Sequence, residues 1–198
     1  DEANPIRAGY AALLAWTVAE AEIDEDAVVL DLGAGTGNTA ALVERAGRLI
    51  AVDVSERMLA QAPPKLRHLP HVEIIQADLL EVFERDLPML DAVVSSYAIH
   101  HLTDVEKATL CRRIGDALRP GGRLALGDLM FESEAAKAAL AARWTDAERA
   151  DVLKSVEEEF PYFLDLALPA LEAAGLDVRT VRRFSDLSWG IAAARPGA

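Results

Sequence analysis

The sequence has one cysteine, Cys111, so it can form neither an internal disulfide nor a zinc site built from several thiolates. It has no run of about 18 consecutive apolar residues, the length that a transmembrane helix requires. Blocks of lysine or arginine are also missing, and 33 acidic against 20 basic residues give a formal net charge of -13. Because so acidic a chain repels phosphate backbones, we expect neither a nucleic-acid partner nor a membrane partner.

The remaining composition is that of an ordinary folded domain. The hydrophobic fraction of 52% is too high for a disordered chain. A domain of this length buries about 70% of the surface of its unfolded chain. The chain does not begin with methionine and has no signal-peptide pattern. We therefore expect a cytoplasmic protein, monomeric or homodimeric, in which native N-terminal residues are missing from this sequence.

Short runs rich in β-branched residues alternate with longer helical stretches. The runs predict strands at 27–32, 49–54, 72–77, 90–95 and 123–128. Helices are predicted at 11–21, 39–46 and 55–61, from 104 towards Pro120, within 132–160, and at 165–174. Two further strands, 176–184 and 188–194, are joined by a short turn and predict an antiparallel pair. This alternation predicts an α/β protein whose mostly parallel sheet is covered by helices on both faces.

A glycine loop follows the first predicted strand. Gly33, Gly35 and Gly37 stand between that strand and a predicted helix, where the backbone must turn tightly or approach a ligand closely. The third glycine comes one residue too early for the G-x-G-x-x-G pattern of a dinucleotide site. Asp31 precedes the loop by two residues, and its carboxylate repels a pyrophosphate. The pattern therefore favours a ligand that brings a positive charge, such as an ammonium group.

Two more acids follow strands. Asp53 closes the second strand, where a carboxylate accepts hydrogen bonds from both hydroxyls of a ribose. Asp78 follows the third strand, where it can accept from an adenine amino group. The three carboxylates suit a ligand that carries an ammonium, a ribose diol and an adenine but no phosphate.

These motifs resemble class I S-adenosylmethionine-dependent methyltransferases over Val28 to about Asp128. The glycine motif matches Asp31 to Gly37, the acid after the second strand matches Asp53, and Leu118 to Leu124 matches the signature before the fifth strand. The resemblance implies S-adenosylmethionine as cofactor. It implies a cofactor site formed by Asp31, Gly33, Ala34, Gly35, Gly37, Asp53, Val54, Met58, Asp78, Leu79 and Ser95.

The resemblance also implies an architecture. It predicts a Rossmann-like sheet of seven strands in the order 3-2-1-4-5-7-6, ending in an antiparallel hairpin. Residues 1–198 then form a single methyltransferase domain. Residues 1–26 are expected to form an N-terminal helical cap, and 131–163 a helical insertion that acts as a lid.

The acceptor side is expected after the fourth strand. His100 is the candidate general base, because histidine titrates near neutral pH, and His101 is a weaker candidate. Tyr97 is expected to shape the pocket, and Asp128 either faces it or is a turn residue. No His, Asp or Glu group has metal-ligand spacing, so no metal is expected.

Substrate specificity in the resembling family comes from the N-terminal region and from the insertion. Arg7 and Tyr10 are therefore candidates for contacts with the cofactor carboxylate or the acceptor. Asp1 is expected to be the remainder of a Tyr-Asp pair that commonly precedes this helix in the family. Four aromatic residues of the insertion are expected either to cover the site or to lie in the core: Trp144, Phe160, Tyr162 and Phe163.

The function expected from these features is methyl transfer from S-adenosylmethionine to a small-molecule acceptor by in-line displacement. The Asn/Asp-Pro-Pro-Tyr motif of enzymes that methylate base amines is missing; Ser95 to Ala98 stands in its place. Two alternatives remain at this point. One is a non-catalytic module that binds S-adenosylmethionine, and the other is a nicotinamide-dependent oxidoreductase.

Overall fold

The carboxyl ends of five parallel strands meet at one edge of a mixed sheet in the computed structural model, which describes residues 5, 8–144 and 146–197. The strands are β1 Val28–Leu32, β2 Arg48–Asp53, β3 Val72–Gln76, β4 Leu90–Ser96, β5 Leu118–Phe131, β6 Tyr162–Phe163, β7 Asp177–Arg183 and β8 Ser188–Ala194. Their order is β3-β2-β1-β4-β5-β8-β7, and the short β6 pairs with the end of β5. Since β8 runs antiparallel to β5 and β7, the predicted order and terminal hairpin are confirmed. The two-residue β6 only shifts the numbers of the last two strands.

Helices cover both faces of the sheet, as the strand–helix alternation predicts. They are α1 Tyr10–Glu20, α2 Glu56–Leu59, α3 Asp104–Ala117, α4 Glu134–Arg143, α5 Ala147–Glu157 and α6 Leu164–Ala173. On one face, α3 and α6 bury Ile114 and Leu171 against Leu30 of β1. On the other face, α1 lies close to β5, where a Cβ on Gly127 would come 2.2 Å from a methyl group of Leu13.

The connection between β4 and α3 carries the predicted acceptor-side residues. A three-residue 3-10 turn, Ile99–His101, follows β4 directly. The next helix begins at a capping box, in which the Thr103 hydroxyl accepts from the Glu106 backbone N–H at 3.4 Å. The Glu106 carboxylate in turn accepts from the Thr103 backbone N–H at 2.8 Å. The turn is therefore fixed between a buried strand and a capped helix.

One predicted helix is wrong. Residues 39–46 form only a 3-10 turn, Ala40–Leu42, and Val43 is already extended with φ −72° and ψ 107°. The connection to β2 is short, and Val43 and Ala46 are both buried below the sheet. Burying these two residues in so short a connection competes with helix formation, and the β-branched Thr39 and Val43 weaken the helix further.

The insertion at 131–163 contains two helices, α4 and α5, with a break between them at Trp144. Trp144 is buried against Leu140 and Val156, and Tyr162 lies in the main core. Phe160 is half exposed. Thr145, at the break itself, lies outside the described residues.

Part of the sequence interpretation falls on residues that are not described. Asp1, Ile6 and Arg7 lie outside the described ranges, so the expected role of Arg7 stays a prediction. Within the described part of the chain, no helix is both long and apolar enough to cross a membrane.

Candidate functional site

The glycine loop bends back over the carboxyl ends of β1 and β2. The backbone N–H groups of Gly33 and Ala34 both donate to the Val52 carbonyl at 2.8 Å. Gly33 and Gly35 have φ of 72° and 54°, a left-handed conformation that side chains disfavour. A Cβ on Gly33 would also lie 2.1 Å from the Cβ of Ala98, so glycine is required there by space as well as by conformation.

A first cavity of about 400 Å³ opens beside this loop. Most of the predicted cofactor residues line it: Gly33, Ala34, Gly35, Asp53, Val54, Met58, Asp78 and Leu79. Asp31, Gly37 and Ser95 are not among its lining residues.

Two carboxylates stand at strand ends on the wall of the first cavity. Asp53 accepts from the Gly35 backbone N–H through Oδ2 and from the Ser55 backbone N–H through Oδ1, both at 2.8 Å. Asp78 Oδ1 accepts from the Leu80 backbone N–H at 2.8 Å. Each carboxylate oxygen can accept more than one hydrogen bond, so both acids are oriented and still able to accept from a ligand.

Between the two acids the cavity wall is apolar and exposed. Val54 is 68% exposed and Met58 is 39% exposed, although both side chains are hydrophobic. Apolar side chains left open in a cavity mark a site where a ligand covers them. A flat aromatic base between these side chains and Asp78 would bury them and satisfy the carboxylate.

Asp31 lies behind the glycine loop. Its side chain is fully buried, and no donor among the described residues makes a well-formed hydrogen bond to either carboxylate oxygen, although the Ala40 backbone N–H is close enough to favour the charged form. Burial raises the pKa of Asp31 from 3.8 to about 7; the Ala40 backbone N–H opposes this shift in part, and the charge of Asp53 adds to it. The predicted contact of Asp31 with an ammonium group stays a prediction, since the carboxylate does not line the first cavity.

Ser95 and Ser96 point to opposite sides of β4. The Ser95 hydroxyl is buried and donates to the Leu32 carbonyl at 2.7 Å, which ties β4 to β1. Ser96 lines the first cavity instead, together with Tyr97 and Ala98. The sequence motif includes Ser95 but not Ser96. Because side chains alternate along a strand, Ser96 shares the face of β4 that carries Val94, and Ser95 lies on the opposite face.

A second cavity of about 250 Å³ adjoins the first. Tyr10 and Tyr97 line both cavities, and their rings stack with centroids 5.4 Å apart. Tyr97 has φ 52°, a conformation that costs energy for a bulky residue and tends to occur at functional sites. Burial raises the pKa of the Tyr97 hydroxyl above its usual value of 10, so the side chain is neutral at physiological pH.

His100 lines the second cavity and is paired with a buried acid. Its Nδ1 lies 2.5 Å from Oδ1 of Asp128, and Asp128 is 1% exposed. Since a carboxylate only accepts, Nδ1 carries the hydrogen, and Nε2 is left as the acceptor atom. Burial lowers the pKa of His100, but the charge and hydrogen bond of Asp128 outweigh this, and the net result is a pKa above 6.5.

His101, the weaker of the two candidate bases, lines the first cavity. It is exposed, and its Nδ1 lies 3.0 Å from Oε2 of Glu159. His100, His101 and Glu159 each offer one potential metal-ligand atom, and these atoms lie within 4.8 Å of one another. The three side chains form a group that could hold a metal ion, which the sequence did not predict. Sequence spacing does not reveal this cluster, because Glu159 is 58 residues from His101.

Comparison with known proteins agrees with this geometry. The family model of a methyltransferase domain matches residues 29–122, which include the glycine loop, Asp53 and Asp78. A protein of Geobacillus thermodenitrificans, described as an uncharacterized methyltransferase, is 30% identical over 183 residues, or 90% of this chain and 80% of that protein. An uncharacterized methyltransferase of Oceanobacillus iheyensis is 37% identical over 110 residues, so this chain spans only half of its length.

A solved structure shows the same fold with a ligand. The N-methyltransferase NodS of Bradyrhizobium japonicum, in complex with S-adenosyl-L-homocysteine, is 17% identical, with a TM-score of 0.69 over 98% of this chain and 89% of that one. The chain thus belongs to the class I S-adenosylmethionine-dependent methyltransferases. It is an enzyme whose cofactor is S-adenosylmethionine, and the strand-end acids, glycine cradle and uncovered apolar wall of the first cavity fit that cofactor.

The replacement Asp31→Asn should stabilise the cofactor-free protein at pH 8 and have much less effect at pH 4. The folded state keeps the Asp31 proton up to about pH 7, whereas the unfolded state loses it near 3.8. The contribution of Asp31 to the free energy of unfolding is therefore greatest below pH 3.8. It falls by up to about 4 kcal/mol as the pH rises towards 7. Thermal unfolding at both pH values measures the difference, with exposed Asp177→Asn as the charge control. An equal change in melting temperature at both pH values would contradict the raised pKa of Asp31.

The replacement Asp53→Ala should weaken binding of S-adenosylhomocysteine at least about 100-fold. It removes the acceptor for the ribose hydroxyls, and hydrogen bonds to a charged group are worth about 1.5–3 kcal/mol each. Calorimetric titration measures the affinity. Glu56→Ala removes an exposed acid three residues further on and should leave the affinity unchanged. Wild-type affinity in the Asp53 variant would overturn the cofactor-site assignment.

Proposed function

We propose that the enzyme transfers the methyl group of S-adenosylmethionine to a small molecule held in the second cavity. The observation that carries the proposal is the junction of the two cavities at Tyr10 and Tyr97, with His100 on the far side of it. The volume of about 250 Å³ is close to the lower end of ligand pockets, which span about 300–1,000 Å³. Such a space suits a metabolite or one end of it.

In-line displacement requires the acceptor atom, the methyl carbon and the sulfur to lie in one line. The cofactor supplies a methyl group that its sulfonium charge already activates. The protein must hold the acceptor atom about 3–3.5 Å from that carbon and exclude water. Leu129 and Val156 provide apolar walls for this purpose, and Tyr97 borders both ligands.

The His100–Asp128 pair supplies the base in this proposal. Nε2 of His100 takes the proton of the acceptor, and Asp128 stabilises the imidazolium that forms. The Asp128 carboxylate raises the pKa of His100 above its ordinary value of 6.5, which makes the imidazole a stronger base. A non-catalytic cofactor-binding module would need neither a second cavity nor a buried histidine–carboxylate pair, so these features favour the enzyme.

We further propose that residues 131–163 act as the lid of a single domain. The end of this segment supplies Ser155, Val156 and Glu159 to the second cavity. Its helices pack around Trp144 and Val156 in a hydrophobic cluster that is separate from the main core and also includes Leu129 of β5 and Leu187. The segment is therefore packed on the end of β5, over the second cavity.

Release of S-adenosylhomocysteine from S-adenosylmethionine tests the small-molecule acceptor. The enzyme is incubated with pools of amines, thiols, alcohols and carboxylic acids, and separately with protein and RNA extracts. Mass spectrometry should detect the product only with a pool of small molecules. Product formed only with the protein or RNA extracts would refute the proposal.

The replacement His100→Gln should lower kcat about 100- to 1,000-fold, the usual worth of a positioned base. In the wild type, kcat/KM should fall as pH drops through a pKa above 6.5, because the imidazolium cannot accept a proton. This fall should be missing from the variant. The exposed His71→Gln is the matched control, and a variant that keeps the wild-type pH profile would exclude His100 as the base.

A further inference from the structure

The charged groups around the second cavity are unevenly distributed. Glu159 contributes a carboxylate to its wall, and Asp128 lies directly behind His100. Among the described residues, no lysine or arginine lines this cavity. Apart from His100 itself, the other lining groups are neutral hydroxyls and apolar side chains. An anionic acceptor would therefore meet a carboxylate in this space and, among the residues that the structure describes, no permanent cation.

A buried lysine near His100 is occupied by other partners. Lys107 is 1% exposed, and its ammonium donates to the carbonyls of Phe160 and Pro161, the latter at 3.4 Å. It also pairs with Asp104 at 3.4 Å. Its charge is thus taken up by two carbonyls and a carboxylate, and it offers nothing to a ligand in the second cavity.

The same contacts hold Glu159 in place. The Phe160 backbone N–H donates to the His100 carbonyl at 2.9 Å, one residue after Glu159. Lys107 fixes the next two carbonyls. His101, 62% exposed, is the one basic side chain within 4.0 Å of the Glu159 carboxylate in the described residues. The carboxylate is therefore positioned at the cavity by its backbone, independently of any ligand.

The aromatic walls of the second cavity also favour a positively charged ligand. Tyr10 and Tyr97 stack at the boundary of the two cavities. The faces of tyrosine rings attract cations within about 6 Å of their centres, and the attraction grows when water is excluded. A cation in this cavity would meet two tyrosine rings and a carboxylate.

We propose that the acceptor is a small primary or secondary amine that binds as its ammonium ion. This inference rests on the proposed function and names its substrate class. The ammonium nitrogen gives one proton to Nε2 of His100, and its freed electron pair forms the new C–N bond. The electron pair of the breaking C–S bond stays on sulfur. One ammonium and one sulfonium thus give a methylated ammonium, a thioether and one proton on His100.

A matched panel of acceptors tests the substrate class. Ethyl to hexyl chains and the benzyl group are each supplied as the amine, the alcohol, the thiol and the carboxylate. Mass spectrometry measures S-adenosylhomocysteine release and the N-methylated product, and calorimetry measures binding to protein loaded with S-adenosylhomocysteine. Amines should react at least tenfold faster than the other groups and bind at least tenfold more tightly than the carboxylates.

Each outcome of the panel has a defined meaning. Turnover of alcohols, thiols or carboxylates in preference to amines overturns this inference and leaves the proposed function in place. If no small molecule is turned over or bound, both this inference and the proposed function are overturned. Binding of the amines no tighter than that of the carboxylates also overturns the inference, whatever the rates.

The replacement Glu159→Gln separates charge recognition from structure. It should raise KM for the preferred amine at least tenfold and lower the ratio of kcat/KM between amine and alcohol. Glu158→Gln, an exposed neighbour with the same change of charge, should leave that ratio unchanged. Thermal unfolding and affinity for S-adenosylhomocysteine identify a merely structural effect. An unchanged ratio in a folded Glu159→Gln protein would overturn the role of this carboxylate.

Discussion

The Asp128 carboxylate organises the acceptor side of the molecule. It accepts backbone N–H groups from Ala98, Ile99 and Leu129 at 2.7–3.0 Å and contacts the imidazole of His100. A buried charge is tolerated only when it is fully hydrogen-bonded, and here the donors come from β5 itself and from the turn that follows β4. The path of the chain after β4 and the proton affinity of His100 therefore depend on one side chain. Neither property can be adjusted without the other.

Much of the cofactor side was predictable because its signals are local. The glycine loop, Asp53 and Asp78 each follow a strand that β-branched residues mark plainly, and parallel strands bring their carboxyl ends together. The prediction failed where local propensity met a tertiary demand. Residues 39–46 have helix-forming composition, yet the burial of Val43 and Ala46 in a short connection leaves only a 3-10 turn.

The acceptor side was predictable only in part, because its residues are distant in sequence. His100 and Asp128 were candidates from their strand-end positions, but nothing in the sequence pairs them across 28 residues. Glu159, Ser155 and Val156 reach the second cavity from the insertion, where the sequence predicts a helical lid but not which of its side chains face the site. Which face of such a helix meets the site depends on the contacts of Lys107 and Phe160, and those exist only in the folded chain.

The two cavities take their walls from different stretches of the polypeptide. The first is built from residues up to Leu102, whereas the second draws three of its lining residues from 155–159, beyond the matched methyltransferase region at 29–122. Substitutions in the later stretch reshape the acceptor space and leave the glycine loop and its acids as they are. A duplicated gene can therefore change its substrate by drift in a few codons while its cofactor chemistry is inherited intact. Descent in such a lineage preserves the methyl donor far longer than it preserves the acceptor.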